Sequence, residues 1–162
     1  MFIATTILTI FCAWKWGDWK NWQKYYPTML FIIVSDLLYN YLYYGHWLWK
    51  YRPMFIQKNT IPTLLATFII LPISGLIFLS NFPGTWKGLF ARITKFVIIY
   101  MSFELVFDLL GIIIHERGWN LWWSLSWNIV MFSIWALHYK KPLLAYPAGA
   151  VLVILMNVKF PI

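Results

Sequence analysis

ITKFVIIYMSFELVFDLLGIII, residues 93–114, is the stretch on which the reading of this chain turns. Its 22 residues form an unbroken apolar run, long enough to carry one helix across a bilayer. Yet Glu104 stands near its centre and Asp108 one turn later. A carboxylate in hydrocarbon costs several kcal/mol unless it is paired, hydrated or protonated, so a run that holds two marks a working site. Glu104, Asp108, Gly111 and His115 recur at i, i+4, i+7 and i+11, the rhythm of one helix face. That face is predicted to look into a bundle of helices and away from lipid.

Composition supports the same environment. Of 162 residues, 62% are apolar and 11% charged, against roughly 45–50% and 25% in soluble domains. The predicted fold class is therefore an all-α, polytopic transmembrane bundle of about six helices, the first and last short, with 1–162 as one domain. Thirteen Lys/Arg against five acids leave a net charge of +8. The basic residues fall in short loops between apolar runs, the pattern that orients helices against an anionic leaflet. No polar domain is present to carry a nucleic-acid surface, so nucleic acid is not an expected partner. The single Cys12 excludes an internal disulfide or a cysteine cluster. No basic residue precedes the first apolar run and no small-x-small site follows it, so no cleavable leader is expected.

Outward from the central run, six helices follow from apolar periodicity. Met1–Trp14 spans only ~21 Å, and crosses a ~30 Å hydrocarbon layer only if aromatic anchors thin it locally. Lys15–Tyr26 interleaves lysines with aromatic rings; Lys15, Trp16, Trp19, Lys20, Trp22 and Lys24 are expected at the lipid interface, against anionic headgroups. Pro27 opens the second helix, 27–44, with Asp36 near its middle and Asn40 one turn on, flanked by Tyr39 and Tyr43. The third, 60–80, is uncharged, with a kink expected at Pro72 and Gly75. After the central helix, the turn HERGWN at 115–120 leads to a fifth helix, 121–138, carrying Ser124 and Asn128. A sixth, 143–158, is interrupted by Pro147 and Gly149, and Ala145-x-x-x-Gly149 forms a small-residue packing face.

Loops one, three and five hold Lys15, Lys20, Lys24, Lys87, Arg92, Lys95, Lys140 and Lys141, eight in all. The other side holds Lys50, Arg52, Lys58, Arg117 and Lys159, five. The excess predicts that the odd-numbered loops are cytoplasmic and the C-terminus is outside.

Two stretches carry a family resemblance: WKWGDWKNWQKYYPTMLFIIVSDLLYN at 14–40 and GWNLWWSLSWNIVMFSIWALHYKKPLLAY at 118–146. In aromatic spacing, in Asp36 and in the WN…WWS…N run they resemble a family of small, uncharacterised multi-pass membrane proteins from endospore-forming Gram-positive bacteria. The match covers about a third of the chain and leaves out the helix of Glu104. The resemblance implies a plasma-membrane protein and no particular activity.

Asp36, Glu104 and Asn128 are predicted to reach a similar depth, where no Lys or Arg offers a counter-ion. A proton- or cation-linked site of Asp36, Glu104, Asp108, Asn40 and Asn128 is the functional expectation, with acids that are protonated, hold a cation with neutral ligands, or line a watery path. The bland alternative is that protonated acids and asparagines merely fasten helices, at ~0.6 kcal/mol per bond. A small transporter or channel-like subunit is thus set against a non-catalytic interaction subunit that binds another membrane protein or a second copy. An intramembrane enzyme ranks last; only Glu104 with Asp108 could serve it, and no catalytic residue is assigned. His115-Glu116-Arg117 lacks the second histidine of H-E-x-x-H and reads as solvated charges. His46 and His138 read as interfacial. No cofactor or metal is specified by any motif.

Overall fold

The computed structural model describes residues 2–52 and 60–161, so Lys58 and the rest of the second half of the second loop lie outside them. Six helices run through the described residues, named here in chain order. They are α1 (Phe2–Trp16), α2 (Trp22–Leu42), α3 (60–79), α4 (Trp86–Leu109), α5 (Leu121–Lys140) and α6 (Pro142–Lys159). Two three-residue strands, β1 (Trp49–Tyr51) and β2 (Ile113–His115), pair antiparallel with Trp49 opposite His115 and Tyr51 opposite Ile113. The fold is therefore mostly, not wholly, helical. Of the six helices, α3 and α6 are apolar and long enough to cross a membrane on length and composition, while α1 is apolar but shorter.

The helices alternate in direction, and side-chain contacts sort their connections onto two ends. At one end the amide of Asp18 donates to Ser80 Oγ at 2.8 Å, and Tyr139 stacks on Tyr25 and tilts against Phe82. Loops one, three and five therefore meet. At the other end β1 pairs with β2, and Phe160 packs on Trp119 and Trp123. Here loops two and four meet the C-terminal residues.

Helix boundaries depart from the expected ones for local reasons. α2 begins at Trp22, so Pro27 lies inside it and cannot donate to the Gln23 carbonyl. In α3 the irregularity is a π turn, Ala66–Ile70, just ahead of Pro72. It re-registers the backbone where the proline withholds a bond. Pro147 and Gly149 leave α6 continuous, and only Lys141 separates it from α5. Ala145 is fully buried, but a Cβ at Gly149 would meet nothing within 4 Å, so the expected small-residue face is used at one end only.

The largest correction concerns the central run. The helix expected at 93–114 spans Trp86–Leu109. It starts at Thr85, whose hydroxyl accepts from the Gly88 amide at 3.2 Å, and it stops where Gly111 takes φ +65°. That left-handed turn costs a glycine little. The amides of Gly111 and Ile112 fold back onto the carbonyls of Asp108 and Phe107, both at 2.8 Å. Residues 113–115 then leave as β2. Glu104 consequently sits five residues from the helix end, not at its centre.

Packing centres on Phe132, whose ring lies within 4.9–5.5 Å of Phe78, Phe96, Tyr100 and Trp135. Gly75 lets α3 approach α2 closely: a Cβ there would stand 2.5 Å from Ile32 Cδ1.

Candidate functional site

Along their helices Asp36, Glu104 and Asn128 stand six, five and seven residues from the end that carries β1 and β2. At 1.5 Å rise they share a depth of about 7–11 Å from that end. The common level is as expected, but it lies toward one end of the bundle and not at its middle.

Asp36 is held by two donors on one oxygen. Thr67 Oγ1, from the π turn of α3, donates to Oδ2 at 2.5 Å, and Asn40 Nδ2, one turn along α2, donates to the same atom at 3.0 Å. Thr67 was not among the residues singled out from sequence; a threonine in an uncharged helix signals nothing about the partner opposite it. The flanking tyrosines serve elsewhere. Tyr43 donates to the Phe160 carbonyl at 3.3 Å, and Tyr39 stacks on Trp49 with ring centres 4.6 Å apart.

Glu104 anchors a second cluster. Trp119 Nε1 donates to Ser124 Oγ at 2.8 Å, and the Ser124 hydroxyl donates to Glu104 Oε1. An indole N–H only donates, so Ser124 Oγ accepts from Trp119 and keeps its own hydrogen for Glu104 Oε1. His115 Nε2 lies 3.0 Å from that same oxygen, while its Nδ1 lies 3.5 Å from Asp108 Oδ1. The imidazole thus stands between two carboxylates. His115 is 13% exposed and Glu104 17%, whereas Asp108 is 37% exposed at the edge of the cluster.

Two expectations change here. The acids were expected to lack a basic companion, and His115 was expected to be solvated. Helical spacing put His115 on the face of Glu104 but eleven residues, about 16 Å, farther along; the helix ends at Leu109, and the reversal at Gly111 brings the imidazole back against that carboxylate. The solvated reading does describe Glu116, which pairs with Lys50 at 2.5 Å with both half-exposed. His138, in the last turn of α5, is buried among side chains, with Nδ1 3.0 Å from Thr28 Oγ1 and its ring stacked on Phe31.

Asn128 is buried and donates to Met101 Sδ at 3.4 Å. It lines, with Asp36, Glu104 and Ser124, a single cavity of about 870 Å³. Asp36 also lines a second pocket of about 60 Å³ with Asn40, Trp47 and Lys50, on the side toward the β1 end. Of the five proposed site residues, Asp36, Glu104 and Asn128 line the large cavity, whereas Asn40 supports Asp36 from the smaller pocket and Asp108 stands behind His115. Among the described residues no group of three His, Cys, Asp or Glu is arranged to hold a metal ion.

Lys15, Trp16, Trp19, Lys20, Trp22 and Lys24 are all exposed at the opposite end. Trp19 Nε1 donates to the Ala13 carbonyl at 2.7 Å and closes the end of α1. Lys15 lies over the Trp16 ring at 5.1 Å, and Lys24 over Tyr25 and Tyr139. Beside them, hydrogen bonds from Asn21 and Tyr25 hold the Asp18 carboxyl below the usual carboxylate range.

No protein-family model matches the chain, and neither the curated proteins nor the solved structures contain a significant match.

Proposed function

We propose that this chain is an integral membrane protein that moves protons, alone or coupled to a solute, through the cavity between Asp36 and Glu104. The membrane part is supported by what the helices present outward. Along the apolar helix α6 only Ala145 is buried, and Val151, Ile154, Leu155 and Val158 are exposed. An apolar helix that leaves most of its surface uncovered does not belong to a soluble core; lipid would cover it. The resemblance to small multi-pass proteins of the bacterial plasma membrane agrees with this placement. With all odd-numbered loops at one end, the excess of Lys and Arg there favours that end as the cytoplasmic one.

The observation that carries the proton reading is the position of His115. Asp108 is the exposed member of its cluster, Glu104 the one on the cavity wall, and the imidazole presents one nitrogen to each. A ring that takes a proton at Nδ1 and releases one at Nε2 would pass it from the Asp108 side to Glu104. Ser124 and Trp119 hold the receiving oxygen in place. Water in the cavity would then connect Glu104 with Asp36. A proton fits better than a metal cation, because among the described residues no three His, Cys, Asp or Glu side chains are gathered to hold one.

The test is proton flux into vesicles carrying the purified protein, under an imposed pH gradient. Wild type should exceed empty vesicles, while Asp36→Asn, Glu104→Gln and His115→Phe should fold and lose the flux. Wild-type flux equal to empty vesicles, or full flux in all three variants, refutes the reading. The alternative of a non-catalytic interaction subunit draws on the open face of α6 at Gly149. It predicts co-purification with a second membrane protein and indifference to all three substitutions.

A further inference from the structure

We infer that the cavity is also a lateral binding cleft for a phospholipid with an anionic headgroup. The headgroup would sit at Arg92 and Lys95, and one acyl chain would lie between α1 and α4. This rests on the membrane placement above; the acyl chain would occupy the stretch from Lys95 to Phe103 and leave the Asp36–Glu104 end of the cavity to the relay.

The cavity has two unlike ends. Near the odd-numbered loops it is lined by Arg92 and Lys95 with Ser80 and Asn81; its only acids, Asp36 and Glu104, lie at the far end. From Lys95 to Phe103 along α4 the wall is mostly apolar, with Phe96, Ile99 and Phe103 and one polar tip at Tyr100, and α1 and α3 add Leu8, Ile70 and Ile77 beside the short polar side chains of Thr5, Thr9 and Ser74. Eight residues at 1.5 Å rise make this stretch about 12 Å, close to the ~15 Å hydrocarbon depth of one leaflet. The volume of about 870 Å³ lies within the range of sites that enclose organic ligands.

The mouth opens sideways. Leu8, Ile99 and Phe103 line the cavity, yet each is about two-fifths exposed, at 44%, 38% and 39%. α1 packs on α3, and α4 packs on α5, so the cleft falls between the two groups. A water-soluble ligand would need an opening at an end of the bundle, whereas an amphiphile already in the leaflet enters through such a side with its head at the loop level. Charge chooses the head. Arg92 Nη1 is committed to the carbonyls of Phe78 and Ser80 and anchors the end of α3. Lys95 is exposed and, among the described residues, pairs with no acid. A phosphate at this position would meet two cations and no carboxylate.

Cys12, the only cysteine in the sequence, lines the same cleft from α1 and serves as the reporter. Its alkylation by a neutral maleimide is followed in the full chain, delipidated in nonionic detergent. Phosphatidylglycerol is expected to slow the reaction roughly fivefold relative to phosphatidylcholine of the same chains, the effect of about one interfacial lysine. Glycerol 3-phosphate, a headgroup without tails, should not slow it. Lys95→Gln should abolish the difference, and Lys141→Gln, at the same end but off the cleft, should keep it. Equal protection by both lipids, protection by glycerol 3-phosphate alone, or undiminished protection in Lys95→Gln overturns the inference. Failure of the membrane placement shows separately, as a chain that stays monodisperse without detergent.

Discussion

Replacing Glu104 separates its charge from its place in the hydrogen-bond chain. In Glu104→Gln the Oε1 acceptor remains, so Ser124 and His115 keep a partner. What is lost is charge assistance. A bond to an ionised group contributes about 1.5–3 kcal/mol and a neutral one about 0.5–1.5. With about 1–1.5 kcal/mol lost at each of two bonds, the glutamine variant should lose about 2–3 kcal/mol. Glu104→Ala removes the acceptor itself and strands the Ser124 hydroxyl and the His115 N–H in a partly buried site. Each stranded donor costs about 1–3 kcal/mol, so the alanine variant should lose about 2–6 kcal/mol. Unfolding in detergent, followed by tryptophan fluorescence against denaturant, gives both values. Ser124→Ala adds a check, since it orphans the Trp119 N–H and should couple non-additively to Glu104→Ala. Equal losses for Gln and Ala, or additive behaviour of the pair, would refute the directed chain from Trp119 to Glu104.

Three further outcomes follow from the packing and the loops. Gly75→Ala should destabilise by about 1–3 kcal/mol, because its Cβ collides with Ile32 Cδ1, and Ile32→Val, which removes that atom, should recover part of the loss. Phe132→Ala should cost about 3–5 kcal/mol, since its ring is fully buried among four others, while the equivalent change at exposed Phe90 should be nearly neutral in the same unfolding assay. The depressed Asp18 carboxyl should support the first loop at pH values above the ordinary aspartate pKa, and lose that support as pH falls through its own lower value. Protection of the Trp19–Tyr25 amides, taken against their intrinsic exchange rate at each pH, should therefore fall in acid, and Tyr25→Phe, which removes one of the two donors, should move the transition upward in pH.

Helix number and the alternation of loop charge were legible in the chain because both are local properties. An apolar run of sufficient length reports a helix whatever surrounds it, though not where the helix ends: the runs at 27–44 and 93–114 became Trp22–Leu42 and Trp86–Leu109. The pairing of Asp36 with Asn40 is local in the same way, four residues apart on one turn. Where glycine and proline were read as breaks, however, context overruled them: Pro27, Pro147 and Gly149 lie inside helices, while Gly111 ends one that the apolar run would have continued.

Contacts across elements were decided by the tertiary structure alone. His115 reaches Glu104 only because the chain reverses at Gly111, and no 3.6-residue period encodes a reversal. Thr67 meets Asp36 because Gly75 lets α3 close on α2, and a side chain's partner on another helix depends on that approach. The amino-acid sequence by itself determined which carboxylates leave water for an apolar helix; the packing of six helices decided which donors meet them there and what space they share. Periodicity specifies a face, and only the neighbouring helix specifies what that face touches.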